Sequence, residues 1–206
     1  MSRPIPVEVI PSHVHLSEAH HTLLFGEGHV GTVRQELSQA GQFAYEEVVT
    51  VERSLRLSDR ESTPLSELSE GIVLRVLGPH RKTTQVELTP TEARLLGIDA
   101  PTAKSGDLSS AASCSLRVKE NTIICTASVI IPVPHLHLSD SEATTFRLSN
   151  GDKVRVDVVG DVSHIIENVI VRVHPTYRAR LHIHPDIARD LWIHSGSHVR
   201  IRENSH

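Results

Sequence analysis

A local pattern that occurs four times constrains this chain more than any other feature. Each copy is a β-like run ending in two polar side chains spaced two apart, then Ser, Thr or Pro, then a short segment carrying Ala and Leu. The copies are VEVIPSHVHLSEAHHTLLFG at 7–26, RKTTQVELTPTEARLLGI at 81–98, VIIPVPHLHLSDSEATTFRL at 129–148 and YRARLHIHPDIARDLWI at 177–193. Repetition at this scale points to one supersecondary unit used again and again. The helix starts have a physical cause. Thr89 with Glu92, and Ser139 with Glu142, match the capping box, in which the hydroxyl accepts from an N3 amide and the carboxylate reaches back. Pro90 and Pro185 sit at a first helical position, where a missing N–H costs nothing. Each copy predicts strand, tight turn, short helix.

Between the copies lie further strand candidates: EEVVTVE at 46–52, GIVLRVL at 71–77, NTIICTASVII at 121–131, DKVRVDVV at 152–159 and NVIVRV at 168–173. Val154, Val156 and Val158 alternate with Arg155 and Asp157, the pattern of a half-buried strand. Aromatic residues make up only 3% of the chain, so the core must come from Val, Ile, Leu and Ala, which suits many short strands. Most of the pairing is expected to be antiparallel. The polar stretch at 54–70 reads as a surface loop or insertion, and Gly78-Pro79 as a turn. The Gly/Ser-rich stretch at 104–113 falls near the midpoint. Each half holds one His-x-His copy and a second capped copy. The fold class is therefore mainly β with short helices, as two similar tandem β-barrel domains, 1–110 and 111–206, with the boundary near 105–115.

Composition excludes several functions. A net charge of −4 with interspersed signs argues against a sequence-independent nucleic-acid binder. No stretch approaches 18 uninterrupted apolar residues, and MSRPIPVEVIPSHVHL lacks the layout of a secretion signal, so no membrane partner is expected. Cys114 and Cys125 are too few for a disulfide framework and read as buried apolar residues in a reduced cytoplasmic setting. Cys114 is placed in a polar loop, without a positioned base.

Histidine is abundant, at 15 residues, and neutral imidazole is a common zinc ligand. In a strand, residues i and i+2 face the same way, so His13 and His15 can converge on one ion, as can His135 and His137. Aligned by their helix starts, the other copies place Gln85 and Glu87, and His182 and His184, at the equivalent positions. Three protein ligands with open positions suit a catalytic zinc. Periodicity alone leaves Glu87 open between a solvated strand residue and a ligand. Arg75, His80, Arg81 and Lys82 form a basic stretch, and an Arg beside a dication suits a phosphate. His20, His21, His29, His164, His174, His194, His198 and His206 are expected to face solvent or pack locally.

Taken in order, HVHLS at 13–17, AGQFAYEE at 40–47, RVLGPHRKTTQVELT at 75–89, LGIDAP at 96–101, SGDL at 105–108, HLHLS at 135–139, NGDKVRV at 150–156, NVIVRV at 168–173 and LHI at 181–183 resemble the PduL-type phosphotransacylases, also called phosphate propanoyltransferases. The resemblance implies paired β-barrels with the active site in the cleft between them, and two Zn2+ per chain. It also implies exchange of an acetyl or propanoyl group between coenzyme A and phosphate. By position it implies His13, His15 and Glu87 as ligands of one metal, and His135, His137 and His182 as ligands of the other. It makes Arg81 the catalytic, phosphate-contacting residue and places Arg75, Leu77 and Arg81 against substrate. Members usually carry Arg before each His-x-His pair, where this chain has Ser12 and Pro134. The amphipathic helix that targets some members to bacterial microcompartments is not recognisable. Homo-oligomerisation and compartment association stay open, as do a zinc hydrolase of thioesters or acyl phosphates and a weakened metal-binding paralogue.

Overall fold

The computed structural model describes residues 3–54, 71–160 and 164–202. Most of the expected 54–70 loop lies outside the described residues, as does His206. The chain divides into two compact units, Ser12–Pro132 and Met1–Pro11 with Val133–His206.

In the first unit, β2 (His13–Ser17) lies parallel to β5 (Ile72–Arg81) and antiparallel to β6 (Gln85–Glu87). Strand β5 pairs with β4 (Phe43–Arg53), which pairs with β8 (Ala112–Val118). Strand β8 pairs with β9 (Asn121–Pro132), and β9 returns parallel to β6, closing a six-stranded barrel. Two further strands, β3 (Val33–Glu36) and β7 (Thr102–Ala103), attach to β4 and β9.

The second unit repeats this plan. Strand β10 (His135–Leu138) lies parallel to β12 (Ile165–Val173) and antiparallel to β13 (Arg180–Ile183). Strand β12 pairs with β11 (Lys153–Val158), which pairs with β14 (His198–Ile201). The barrel closes through β1 (Ile5–Val9), antiparallel to β14 and parallel to β13. Antiparallel pairs predominate in both, as expected. Of the parallel pairs, β2–β5 and β10–β12 are made possible by the capped helix that follows β2 and β10 and carries the chain away from its hairpin neighbour, while β6–β9 and β1–β13 join strands far apart in the sequence.

The expected single division near 105–115 differs from the observed pairing. Strands β8 and β9 hydrogen-bond to β4 and β6, so the chain up to 132 completes the first barrel, and the N-terminal strand β1 completes the second. Closing a barrel leaves no open edge, which accounts for the recruitment of these sequence-distant strands.

Four helices occur among the described residues, each after one of the repeated strands. Helix α1 (Glu18–Phe25) is capped by Ser17, and α2 (Pro90–Leu96) and α3 (Asp140–Phe146) begin with the expected capping boxes. Helix α4 (Pro185–Asp190) starts on Pro185, with His184 at its N-cap and no side-chain cap bond. Each barrel has its own aliphatic core. Val14, Leu16, Val76, Val86, Leu116 and Val129 lie in the first, and Ile5, Val7, Leu136, Val156, Val171 and Leu181 in the second. Cys114 is a buried residue of β8 rather than a loop residue, paired in register with Cys125 on β9. Gly78 and Pro79 belong to β5 rather than to a turn, with Gly78 in register with Phe43. A Cβ on Gly78 would run into the Phe43 ring, so any side chain there forces that ring to move.

Candidate metal and substrate site

In the second barrel, the antiparallel register of β10 and β13 sets His135 directly opposite His182. His137 follows two residues on, facing the same way. One ligand atom from each of His135, His137 and His182 lies within 4.8 Å of the others. His135 Nδ1 donates to the Val133 carbonyl at 3.0 Å, which leaves the lone pair on Nε2. His137 stacks on Tyr177, with ring centres 4.0 Å apart and planes 17° apart. Its pKa is lowered to about 2, first by burial and then by His182, His135 and Arg172. The imidazole is therefore neutral and able to donate electrons to a cation near neutral pH.

His182 is buried, and its Nε2 lies 3.3 Å from a carboxylate oxygen of Glu8, without hydrogen-bond geometry. Glu8 is the residue that sequence reasoning missed. It comes from β1 and meets His182 only because β1 pairs in parallel with β13, Glu8 against His182. His184 is not part of this group. Strand β13 ends at Ile183 and the chain turns into α4 at His184, so the i+2 rule stops applying there.

The first barrel repeats the arrangement with a carboxylate. Glu87 on β6 stands opposite His13 on β2, the register in which His182 stands opposite His135. His13 Nε2 is 3.7 Å from Glu87 Oε2, and the rings of His13 and His15 are 5.1 Å apart, edge to face. Glu87 is only 5% exposed, which removes the solvated-strand reading. Burial alone would raise its pKa. His13, a hydrogen bond from Ser105, His15 and Arg81 outweigh that and lower it to about 2, so the group is a carboxylate. Burial, then His13 and Arg81, lowers the pKa of His15 to about 3, and its buried Nδ1 has no hydrogen-bond partner among the described residues.

Gln85 does not act as a counterpart to the paired histidines. Its amide donates to Glu87 Oε1 at 2.6 Å and to Ser105 Oγ at 3.0 Å, and its carbonyl accepts from the Gly106 amide at 2.8 Å. The Ser105-Gly106 loop is thereby tied to the Glu87 strand. Arg81, at the end of β5, donates to Ser105 Oγ at 3.3 Å. The parallel register of β2 and β5 sets Arg75 beside His13 and Leu77 beside His15. Arg75 donates to the carbonyls of Tyr45 at 2.7 Å and Glu46 at 3.1 Å. Ser12, where relatives were expected to carry Arg, is built into the cap of α2. Its hydroxyl donates to Glu92 and accepts from the Thr89 amide at 3.1 Å.

Both groups suit a borderline dication such as zinc: His15 and His137 are held neutral, buried nitrogens of His15 and His182 have no hydrogen-bond partner among the described residues, and the first barrel adds the buried carboxylate of Glu87. Among the described residues no helix is long and apolar enough to cross a membrane.

Comparison with known proteins agrees with this arrangement. The family model described as phosphate propanoyltransferase matches residues 6–193. The phosphate propanoyltransferase of Alkaliphilus metalliredigens is 35% identical over 88% of this chain and 80% of its own length. That of Citrobacter rodentium is 37% identical over 90% and 82% respectively, and that of Shewanella putrefaciens 35% identical over 96% and 87%. With the match reaching into both barrels and including every residue of the two histidine groups, the chain belongs to the phosphate propanoyltransferase family.

Proposed function

We propose that this chain is a zinc-dependent phosphate acyltransferase that exchanges a short acyl group, acetyl or propanoyl, between coenzyme A and inorganic phosphate. In the direction of acyl phosphate, a phosphate oxygen attacks the thioester carbonyl carbon, the C–S bond breaks, and the sulfur leaves to become the coenzyme A thiol. The observation that carries the metal half is the convergence of His135, His137 and His182 within 4.8 Å, with His137 held neutral. Family membership supports the acyl transfer.

His135, His137 and His182 would hold one zinc, and His13, His15 and Glu87 the other. When bound, zinc at such centres polarises a carbonyl or stabilises a thiolate. Arg81 holds the phosphate. Its guanidinium is positioned by Ser105 and lies close enough to His15 and Glu87 to shift both their pKa values, so a phosphate it orients sits beside the first histidine pair. Arg75 and Leu77 flank the same pair on β5 and are assigned to acyl-coenzyme A. Glu8, with a carboxylate oxygen 3.3 Å from His182 Nε2, is near enough to serve as an outer carboxylate partner of that histidine. A cytoplasmic setting belongs to the same reading, supported by two buried free thiols.

The test is release of coenzyme A from propanoyl-coenzyme A with and without phosphate in wild type, His135→Ala and Arg81→Ala. Both variants should lose phosphate-dependent release. Unchanged turnover in either removes the assignment, and release independent of phosphate identifies a hydrolase instead.

A further inference from the structure

Three histidines outside both groups lie together in the first barrel. His21 is on the buried face of α1, His29 in the segment after it, and His80 near the end of β5. His21 is 4% exposed, and its Nε2 is buried with no hydrogen-bond partner among the described residues. Its ring centre is 4.7 Å from that of His80 and 5.3 Å from that of His29. Two imidazoles on one tetrahedral zinc, each with Zn–N near 2.0–2.1 Å, have ring centres about 5 Å apart. The pairs within His135, His137 and His182 span 4.4 to 5.1 Å, which includes the His21–His80 separation and falls just short of the His21–His29 one.

His29 carries a further mark of a ligand. Its Nε2 lies 3.1 Å from Glu47 Oε1, and Glu47, 10% exposed at its side chain, is fixed by the Thr32 amide, which donates to both oxygens. A carboxylate on one imidazole nitrogen sets the tautomer and leaves the lone pair on the other, the usual outer-shell partner of a metal-bound histidine. Burial first, then His80 and His29, lowers the pKa of His21, which keeps it uncharged at neutral pH. His21 is held in place by its burial, whereas His80 is exposed and His29 is 34% exposed at its side chain, so the two outer rings can turn toward it. An unpartnered buried imidazole nitrogen is unfavourable, and a cation bound there satisfies it.

We propose that His21, His29 and His80 form a third metal site, taking a divalent first-row cation of imidazole preference such as Zn2+, with Glu47 as the positioning residue behind His29. The site shares no ligand with the two proposed zinc centres and does not depend on them.

The test is titration of the chelator-stripped full chain with Co2+ and Zn2+, counting bound equivalents and following the cobalt visible bands. His80→Gln and His29→Gln, both at exposed positions that spare the core, should each bind one equivalent fewer than wild type or bind it at least tenfold more weakly. Glu47→Gln should weaken the same equivalent 10–100-fold. His135→Ala should leave it in place, so failure of the two-zinc reading and failure of the third site give different patterns. Wild-type stoichiometry and affinity in both His80→Gln and His29→Gln overturn the proposal.

Discussion

Replacing Glu87 with Gln isolates charge from shape. Gln has the same length and can still accept the Gln85 amide that now sits 2.6 Å from Oε1. What it cannot keep is the negative charge between His13, His15 and Arg81. The folded carboxyl is lowered from 4.5 to about 2, so ionisation favours the fold at neutral pH by on the order of 3 kcal/mol. The sign follows from the depressed pKa: that contribution is present above about pH 4.5 and is lost as pH falls toward 2. Glu87→Gln therefore gives up a few kcal/mol of first-barrel stability in the metal-free protein. It also gives up one of the three proposed ligands, a larger change than the outer-shell substitutions that cost 10–100-fold in affinity. Chemical denaturation of chelator-treated protein at pH 7 and competition for zinc with a calibrated chelator measure the two effects. A variant with wild-type stability and wild-type zinc affinity refutes both the electrostatic reasoning and the ligand assignment.

Three further outcomes follow from the same geometry. His15 and His137 are lowered to about 3 and about 2 from an ordinary 6.5, so the unfolded chain takes up protons that the fold refuses. Metal-free protein should lose about 1.4 kcal/mol per pH unit for each of these histidines as pH falls below 6.5, and flat stability between pH 7 and 5 contradicts this. Ser12→Ala removes two hydrogen bonds of the α2 cap and should lower first-barrel stability by about 1–2 kcal/mol in thermal or denaturant melts, with zinc content unchanged. Glu8→Gln should lower the zinc affinity of the His135, His137 and His182 group roughly 10–100-fold by chelator competition while leaving the other centre unaffected.

Local features of this fold are legible in the sequence and barrel closure is not. The capped units announce themselves through Ser17, Thr89 with Glu92 and Ser139 with Glu142, because a cap is written within four residues. The equivalence of Glu87 to His182 follows from aligning those caps, and both stand opposite the first histidine of their pair. Which distant strand closes each barrel is decided by long-range pairing that carries no local signature. Residues 1–110 therefore read as one domain, when β8 and β9 belong with them and β1 does not. Glu8 stays hidden for that reason: it lies more than 170 residues from His182 in the chain and beside it in the sheet. Ser105 opens the SGDL motif, but only the structure shows it bonded to Arg81 and Gln85. Periodicity likewise cannot separate His182 from His184, since the choice depends on β13 ending at Ile183. His21, expected to face solvent or pack locally, is buried against Phe25, His29 and His80, a cluster assembled from three separate segments.

The central claim is that phosphate, acyl-coenzyme A and protein-bound zinc meet in one reaction. Thiol release from propanoyl-coenzyme A, followed in the presence and absence of phosphate before chelation, after chelation and after zinc is restored, tests all three together. The account predicts release that needs phosphate, disappears with the metal and returns with zinc. Turnover that persists in the fully chelated protein, or that proceeds without phosphate, contradicts it.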